Sequence, residues 1–412
     1  MLSHHSSARH WPTHPSVYLI LILPFGVLSG FLTVTLAYWL TQAKVDAAEI
    51  GTLIALSYLP HTWKFLWAPS VDLTLSRKRW YMLSLVFTCA GMYAMGLLTH
   101  KHAPLPWLSA AVLLTNLAST FLGMAVEGLM ANGTPDDAKG RAAGWFQAGN
   151  LGGLGIGGGA ALWLAQDMHF SQAWASGLLA AACMLCALAL LPIQERPRSA
   201  AAPNAGLRQH LKAVTLDVWG MARSRVGALA LLACFLPIGS GAASNLWSVL
   251  APDWHASPNT VALINGVGGG LISALGCLVG GFVCDRMDRK LAYCLFGLAQ
   301  AACALSMGLA STNQSSYVVF TALYAFISGL TYAGFSAMVL EAIGHGAAAT
   351  KYNLLAALSN LPVAWMTLFD GWVHQNWGAR PMLYTEAAIG VSALLMLLAL
   401  ARIKTLTVRA RP

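Results

Sequence analysis

The sequence predicts an all-α membrane protein with twelve transmembrane helices in two pseudo-symmetric six-helix bundles. Three observations carry that expectation. The chain of 412 residues is 57% apolar and only 9% charged, where soluble domains average about a quarter charged residues. The apolar residues gather into twelve runs, each close to the roughly 20 residues a helix needs to cross hydrocarbon. Marker residues in the first six runs recur in the last six at a nearly constant offset.

The chain opens on a polar tail, residues 1–15, whose His4, His5, His10 and His14 read either as metal ligands or as a solvated segment. The first apolar run is long enough to span a bilayer and no small-residue cleavage motif follows it, so it is not read as a signal peptide. The runs fall near 16–40, 48–70, 80–99, 105–130, 142–165, 171–193, 225–250, 259–284, 290–311, 315–341, 351–370 and 381–402. They group into an N-terminal bundle over 16–193 and a C-terminal bundle over 225–402, with a tail over 403–412. Residues 194–224 form a charged, partly amphipathic linker holding Glu195, Arg196, Arg198, Arg208, Lys212, Arg223, Pro197 and Pro203. Cys183 and Cys186 spell C-x-x-C inside an Ala-rich run, where two small packing residues compete with a redox or zinc pair. Trp39, Trp80, Trp107, Trp254 and Trp377 are expected in the interfacial aromatic belts.

Charge sets the orientation. Most of the 24 Lys and Arg residues lie in the segments that share a side with the two tails, the linker included, and only Lys44, Lys101 and Arg380 lie in the opposite loops. Basic loops stay in the cytoplasm, so both termini are expected there. This accounts for the net charge of +9 without a nucleic-acid partner.

The halves read as one unit written twice. Leu23-Pro24-Phe25-Gly26 matches Leu236-Pro237-Ile238-Gly239, and Asp72 matches Asp285, both at an offset of 213; Glu127 matches Glu341 at 214; Arg141 matches Lys351 and Asn150 matches Asn360 at 210. Parallel repeats related about the membrane normal are the physical reading of such a pattern.

Tyr58 to Tyr81 is the most informative stretch. Lys64 stands in an apolar run between Trp63, Phe65, Leu66 and Trp67, and a charge in hydrocarbon faces protein or a water-filled cavity. Asp72 follows, then Arg77, Lys78 and Arg79. This loop resembles the one between the second and third helices of major facilitator transporters, and LPHTWKFLWAPSVD resembles more narrowly the AmpG-like permeases and acetyl-CoA transporters, with siderophore permeases as the nearest-looking relatives. The major facilitator glycine is replaced here by Trp67-Ala68-Pro69-Ser70. The resemblance implies a secondary transporter of the bacterial inner membrane, a monomer working by alternating access, coupled to protons, importing a polar or anionic solute such as a siderophore or muropeptide. A drug or metabolite exporter of the same fold, and a non-transporting membrane sensor, are the alternatives. Relatives with muropeptide substrates carry an additional C-terminal helix pair, which favours the siderophore reading. No nucleophile–base motif, metal-ligand spacing or nucleotide motif is present, so no enzyme, metal or cofactor is expected; Gly153-x-Gly155-x-x-Gly158 spells a dinucleotide fingerprint but follows no strand.

Candidate residues follow. His61 and Lys64 are three apart on one helix face, with Lys64 about 12 Å from Asp72 if that helix is continuous. Lys64 reads as an anchor for an anionic solute or a group that swaps partners with a proton-carrying acid; the plainer reading is snorkelling, or a pair with Glu127. Asp370 and His374, four apart, read as a proton entry point or a simple surface pair. By resemblance, Asp72, Arg77, Arg79, Glu127, Asp285, Arg289 and Glu341 form the ion-pair network of an inner gate. Also by resemblance, the glycine-rich fifth and eighth runs cross where the halves rock, with Gly153, Gly157, Gly269 and Gly276 as the close-contact positions.

Overall fold

The computed structural model describes residues 14–195, 207–344 and 347–409. The histidines expected in the tail before residue 14, and Arg196, Arg198 and Pro203 of the linker, lie outside them. All regular structure among the described residues is helical. We label α1 (Val17–Gln42), α2 (47–73), α3 (Arg77–His100), α4 (Leu105–Gly133), α5 (Lys139–Gln166), α6 (Gln172–Leu190), α7 (Leu207–Arg223), α8 (Arg225–Phe235), α9 (Asn259–Cys284), α10 (Arg289–Leu309), α11 (Gln314–Ile343), α12 (Ala348–Trp377) and α13 (Ala379–Arg409).

Nine helices among the described residues are long and apolar enough to cross a membrane, or ten if one bent pair counts as a span. The expected twelve differ at segments with identifiable faults. In α2 the α-helical part ends at Trp63, and a 3-10 turn over Lys64–Leu66 precedes a short helix Ala68–Leu73. α5 is uninterrupted but glycine-rich, and glycine adds little apolarity. The run read as 225–250 breaks after Phe235. Pro237 has no amide hydrogen to continue a helix, and Gly239 (φ 58°) and Gly241 (φ 72°) take the left-handed conformation that only glycine adopts freely. Three short turns then carry the chain to Trp254. At the other end α13 runs to Arg409, into the segment read as a tail.

Serine, aspartate and asparagine caps start the helices where the sequence places them: Ser76 accepts from the Arg79 amide, Asp288 from Lys290 and Leu291, and Asn313 from Ser316. Packing repeats between the halves. α1 lies on α5, α3 on α4 and α6, and α2 on α4; correspondingly α8 lies on α12, α10 on α11 and α13, and α9 on α11. Across the seam, α5 meets α9 and α11, and α12 meets α2 and α4. Of the tryptophans expected in the aromatic belts, Trp39 and Trp254 are buried against protein (4% and 0% exposed), while Trp107 and Trp377 are exposed. All eight cysteines are buried and unbridged, Cys183 and Cys186 among them.

Candidate functional site

The two repeated aspartates do the same thing in opposite directions. Asp72, at the end of α2, accepts hydrogen bonds from the Ala349 amide (3.3 Å), the Thr350 amide (2.9 Å) and the Thr350 hydroxyl (2.8 Å) at the start of α12. Asp285, just past α9, accepts from the Gly140 and Arg141 amides (2.7 and 3.0 Å) at the start of α5, and from Arg141 Nε (2.7 Å). A helix start leaves amide hydrogens unpaired and carries partial positive charge, so each carboxylate satisfies a helix belonging to the other half.

Around these acids, Arg77 lies 3.9 Å from Asp72 and 3.8 Å from Glu195. Glu195 also accepts from the Arg77 and Lys78 amides. Arg289 contacts Glu341 (3.3 Å) and donates to the Asp136 carbonyl across the seam, and Lys290 lies 3.7 Å from Glu341. Arg79, expected in this network, is exposed and makes no ion pair among the described residues; its helix turns it away, and Arg77 and Arg141 are the bases at the aspartates. These links all lie at one end of the bundle.

Deeper along the seam Glu127 is buried (4% exposed). It lies 3.8 Å from Lys64 in its own half and accepts from Asn353 Nδ2 of α12 at 2.6 Å. Lys64 therefore pairs with Glu127, the plainer of its two readings, and the 3-10 turn that begins at Lys64 means the helix to Asp72 is not continuous. Beside this pair Gln147 donates to Ser336, which shares a hydrogen bond with Tyr352. His61 points to Asn116 (3.2 Å) and meets Phe25 edge-on at 5.2 Å.

A second buried acidic cluster lies within the last six helices. Asp370 is 0% exposed, and neither of its carboxylate oxygens has a hydrogen-bond partner among the described residues. It does not pair with His374, which bonds Asp253 at 3.1 Å instead; position 370 faces the core and position 374 lies beyond it, near the helix end. Glu386 of α13 is the acid close enough to act on Asp370 electrostatically. Glu386 is also buried, accepts from the Tyr324 hydroxyl at 2.5 Å and from the Ala243 amide at 3.4 Å, and leaves Oε2 without a hydrogen-bond partner among the described residues. It lines a small cavity with Ser240, Gln300 and Gly239 beside the α8 break. The sequence reading missed Glu386, although the rule that singled out Lys64, a charge in an apolar run, applies to it equally. Asn353 is missed too, and Glu195 is read only as part of the charged linker.

The four glycines expected where the halves cross meet other neighbours. Gly153 and Gly157 face α1, where a Cβ would meet the Leu23 and Val27 carbonyls at 2.7 and 1.9 Å. Gly276 faces Phe326 and Gly329 of α11, and Gly269 its own helix's Ile264 carbonyl. The α5–α9 crossing is instead made by Gly140, Gly144 and Gly155 against Gly281 and Gly270. Spacing identifies a small-residue helix but not which neighbour each face meets.

The family model described as Major Facilitator Superfamily matches residues 17–244. The chain is 26% identical over 387 residues to the anhydromuropeptide permease of Escherichia coli strain K12, covering 91% of this chain and 76% of that protein. Among solved structures, the E. coli fucose:proton symporter FucP superposes with a TM-score of 0.71 at 16% identity, covering 94% of this chain and 98% of that one. The human organic anion transporter TETRAN does so with a TM-score of 0.70 at 17% identity, covering 94% and 100%.

Proposed function

Because the chain belongs to the Major Facilitator Superfamily, we propose that it is a proton-coupled importer of a polar, anionic solute, working by alternating access in the bacterial inner membrane with both termini cytoplasmic. It acts as a monomer whose halves, 16–193 and 225–402, rock about the α5–α9 and α2–α12 contacts. The family is one of transporters, not enzymes.

The observation that carries the reading is the bridging of Glu127 between Lys64 and Asn353. When the halves part at this end, Asn353 leaves with its half. Glu127 and Lys64 then lie at the seam with one ionic partner each and room for a solute carboxylate on Lys64. The Asp72 and Asp285 caps form the inner gate, made in this state and broken in the other. Proton coupling rests on Asp370 and Glu386: two buried carboxylates with no ion pair to a cation among the described residues cannot both stay ionised without a large cost. The pair takes up a proton on one side and releases it on the other.

For the solute, the similarity to an anhydromuropeptide permease favours a muropeptide, and a ferric siderophore is the second reading. The test is uptake by a knockout strain expressing this chain, offered labelled anhydro-muropeptide and labelled ferric siderophore, with and without a protonophore. Accumulation of one that the protonophore abolishes supports the reading. Accumulation of neither, with faster loss of preloaded dyes, favours an exporter.

A further inference from the structure

The helix between the two halves does more than connect them. α7 turns sharply into the next segment: Lys212–Arg223 meets Val226–Phe235 at 84°. If α8 runs through the bilayer, α7 lies along its surface. At about 100° per residue, Lys212, Leu216, Trp219 and Arg223 fall on one stripe of α7, and all four are exposed, Leu216 at 59% and Trp219 at 55%. The Arg223 guanidinium lies over the Trp219 ring at 4.8 Å. The opposite face, Val214 and Met221, is buried. An apolar centre with a base at each end is the pattern of a helix lying in the headgroup layer.

Asp217, on the protein-facing side, reaches the gate. Its Oδ2 accepts from the Ala347 amide at 2.8 Å and pairs with Lys351 Nζ at 3.1 Å. Lys351 is 2% exposed on its side chain and is the counterpart of Arg141, which in the other half pairs with Asp285. The start of α12 is therefore held from two sides, by Asp72 of α2 and by Asp217 of α7.

We propose that the Lys212–Leu216–Trp219–Arg223 stripe is a binding surface for anionic phospholipid headgroups, and that lipid bound there holds the α12 start closed through Asp217. The inference rests on the chain crossing a membrane, and not on the solute or the coupling ion, so it is tested without either. The full chain is placed in nanodiscs of phosphatidylcholine, with or without phosphatidylglycerol, and amide exchange is followed over residues 347–353. Phosphatidylglycerol should slow exchange there, on the order of fivefold. The exposed double variant Lys212→Glu/Arg223→Glu should erase that difference, and Asp217→Asn should speed exchange in both discs. Inorganic phosphate added to phosphatidylcholine discs should do nothing. Equal exchange in the two lipids, a lipid response that survives the double charge reversal, or protection by free phosphate would each overturn the proposal. An independent readout is a spin label at Leu216→Cys, all eight native cysteines being buried. Stronger collision with oxygen than with a water-soluble nickel chelate is expected, and the reverse contradicts an in-plane helix.

Discussion

Glu127 holds Asn353 at 2.6 Å across the seam while lying 3.8 Å from Lys64 in its own half. Removing Lys64 alone leaves a buried carboxylate without its countercharge, which costs about 3–5 kcal/mol. Lys64→Ala is therefore expected to lower the melting temperature in detergent, and the double variant Lys64→Ala/Glu127→Gln to recover most of that loss. Neither variant should transport. Transport by the recovered double variant would remove the pair from the mechanism.

Asp72 and Asp285 cap helices of opposite halves. Asp72→Asn and Asp285→Asn should each weaken the closed end by about 1 kcal/mol. The expected readout is faster modification of a cysteine placed at the seam end, larger in the double variant. Unchanged modification in both single variants would mean the caps do not hold the gate.

How closely α5 and α9 approach is tested by size. A Cβ on Gly144 would lie 2.6 Å from the Cys277 carbonyl, a backbone atom that cannot move aside. Gly144→Val should abolish correct assembly, seen as loss of a monodisperse peak by size-exclusion chromatography. Gly371→Ala meets nothing within 4 Å and should be neutral or stabilising by about 0.5–1 kcal/mol, since glycine weakens a helix interior.

The buried acids predict a separation of functions. Asp370→Asn and Glu386→Gln keep the shape and relieve the crowding of two buried carboxyl groups, so both proteins should fold at least as well as the parent by thermal melting. Both should lose uphill accumulation while keeping solute counterflow, which needs no proton movement. Loss of counterflow as well would place these acids in solute binding instead.

What the sequence made legible was local. Apolar run length located most helices, and the constant offset exposed the repeat that the packing then shows. The break after Phe235 was also written locally, in Pro237, Gly239 and Gly241, and the apolar average over 225–250 hid it. Pairing across the seam was not legible, because it depends on which helix of the other half arrives. Asp72 meets the backbone of α12, the Arg79 side chain makes no ion pair among the described residues, and His374 meets Asp253 rather than Asp370. The glycine faces failed for the same reason: Gly153 and Gly157 are four apart on one face, but only the fold says that this face meets α1.

The central claim is that solute and proton move together. Its most direct test is a pH electrode in a lightly buffered, de-energised suspension of cells expressing this chain, to which anhydro-muropeptide and then ferric siderophore are added. The account predicts a transient rise in external pH on addition of the transported solute, absent in Asp370→Asn and Glu386→Gln cells. Solute entry with no change in external pH, or an unchanged alkalinisation in both variants, would contradict it.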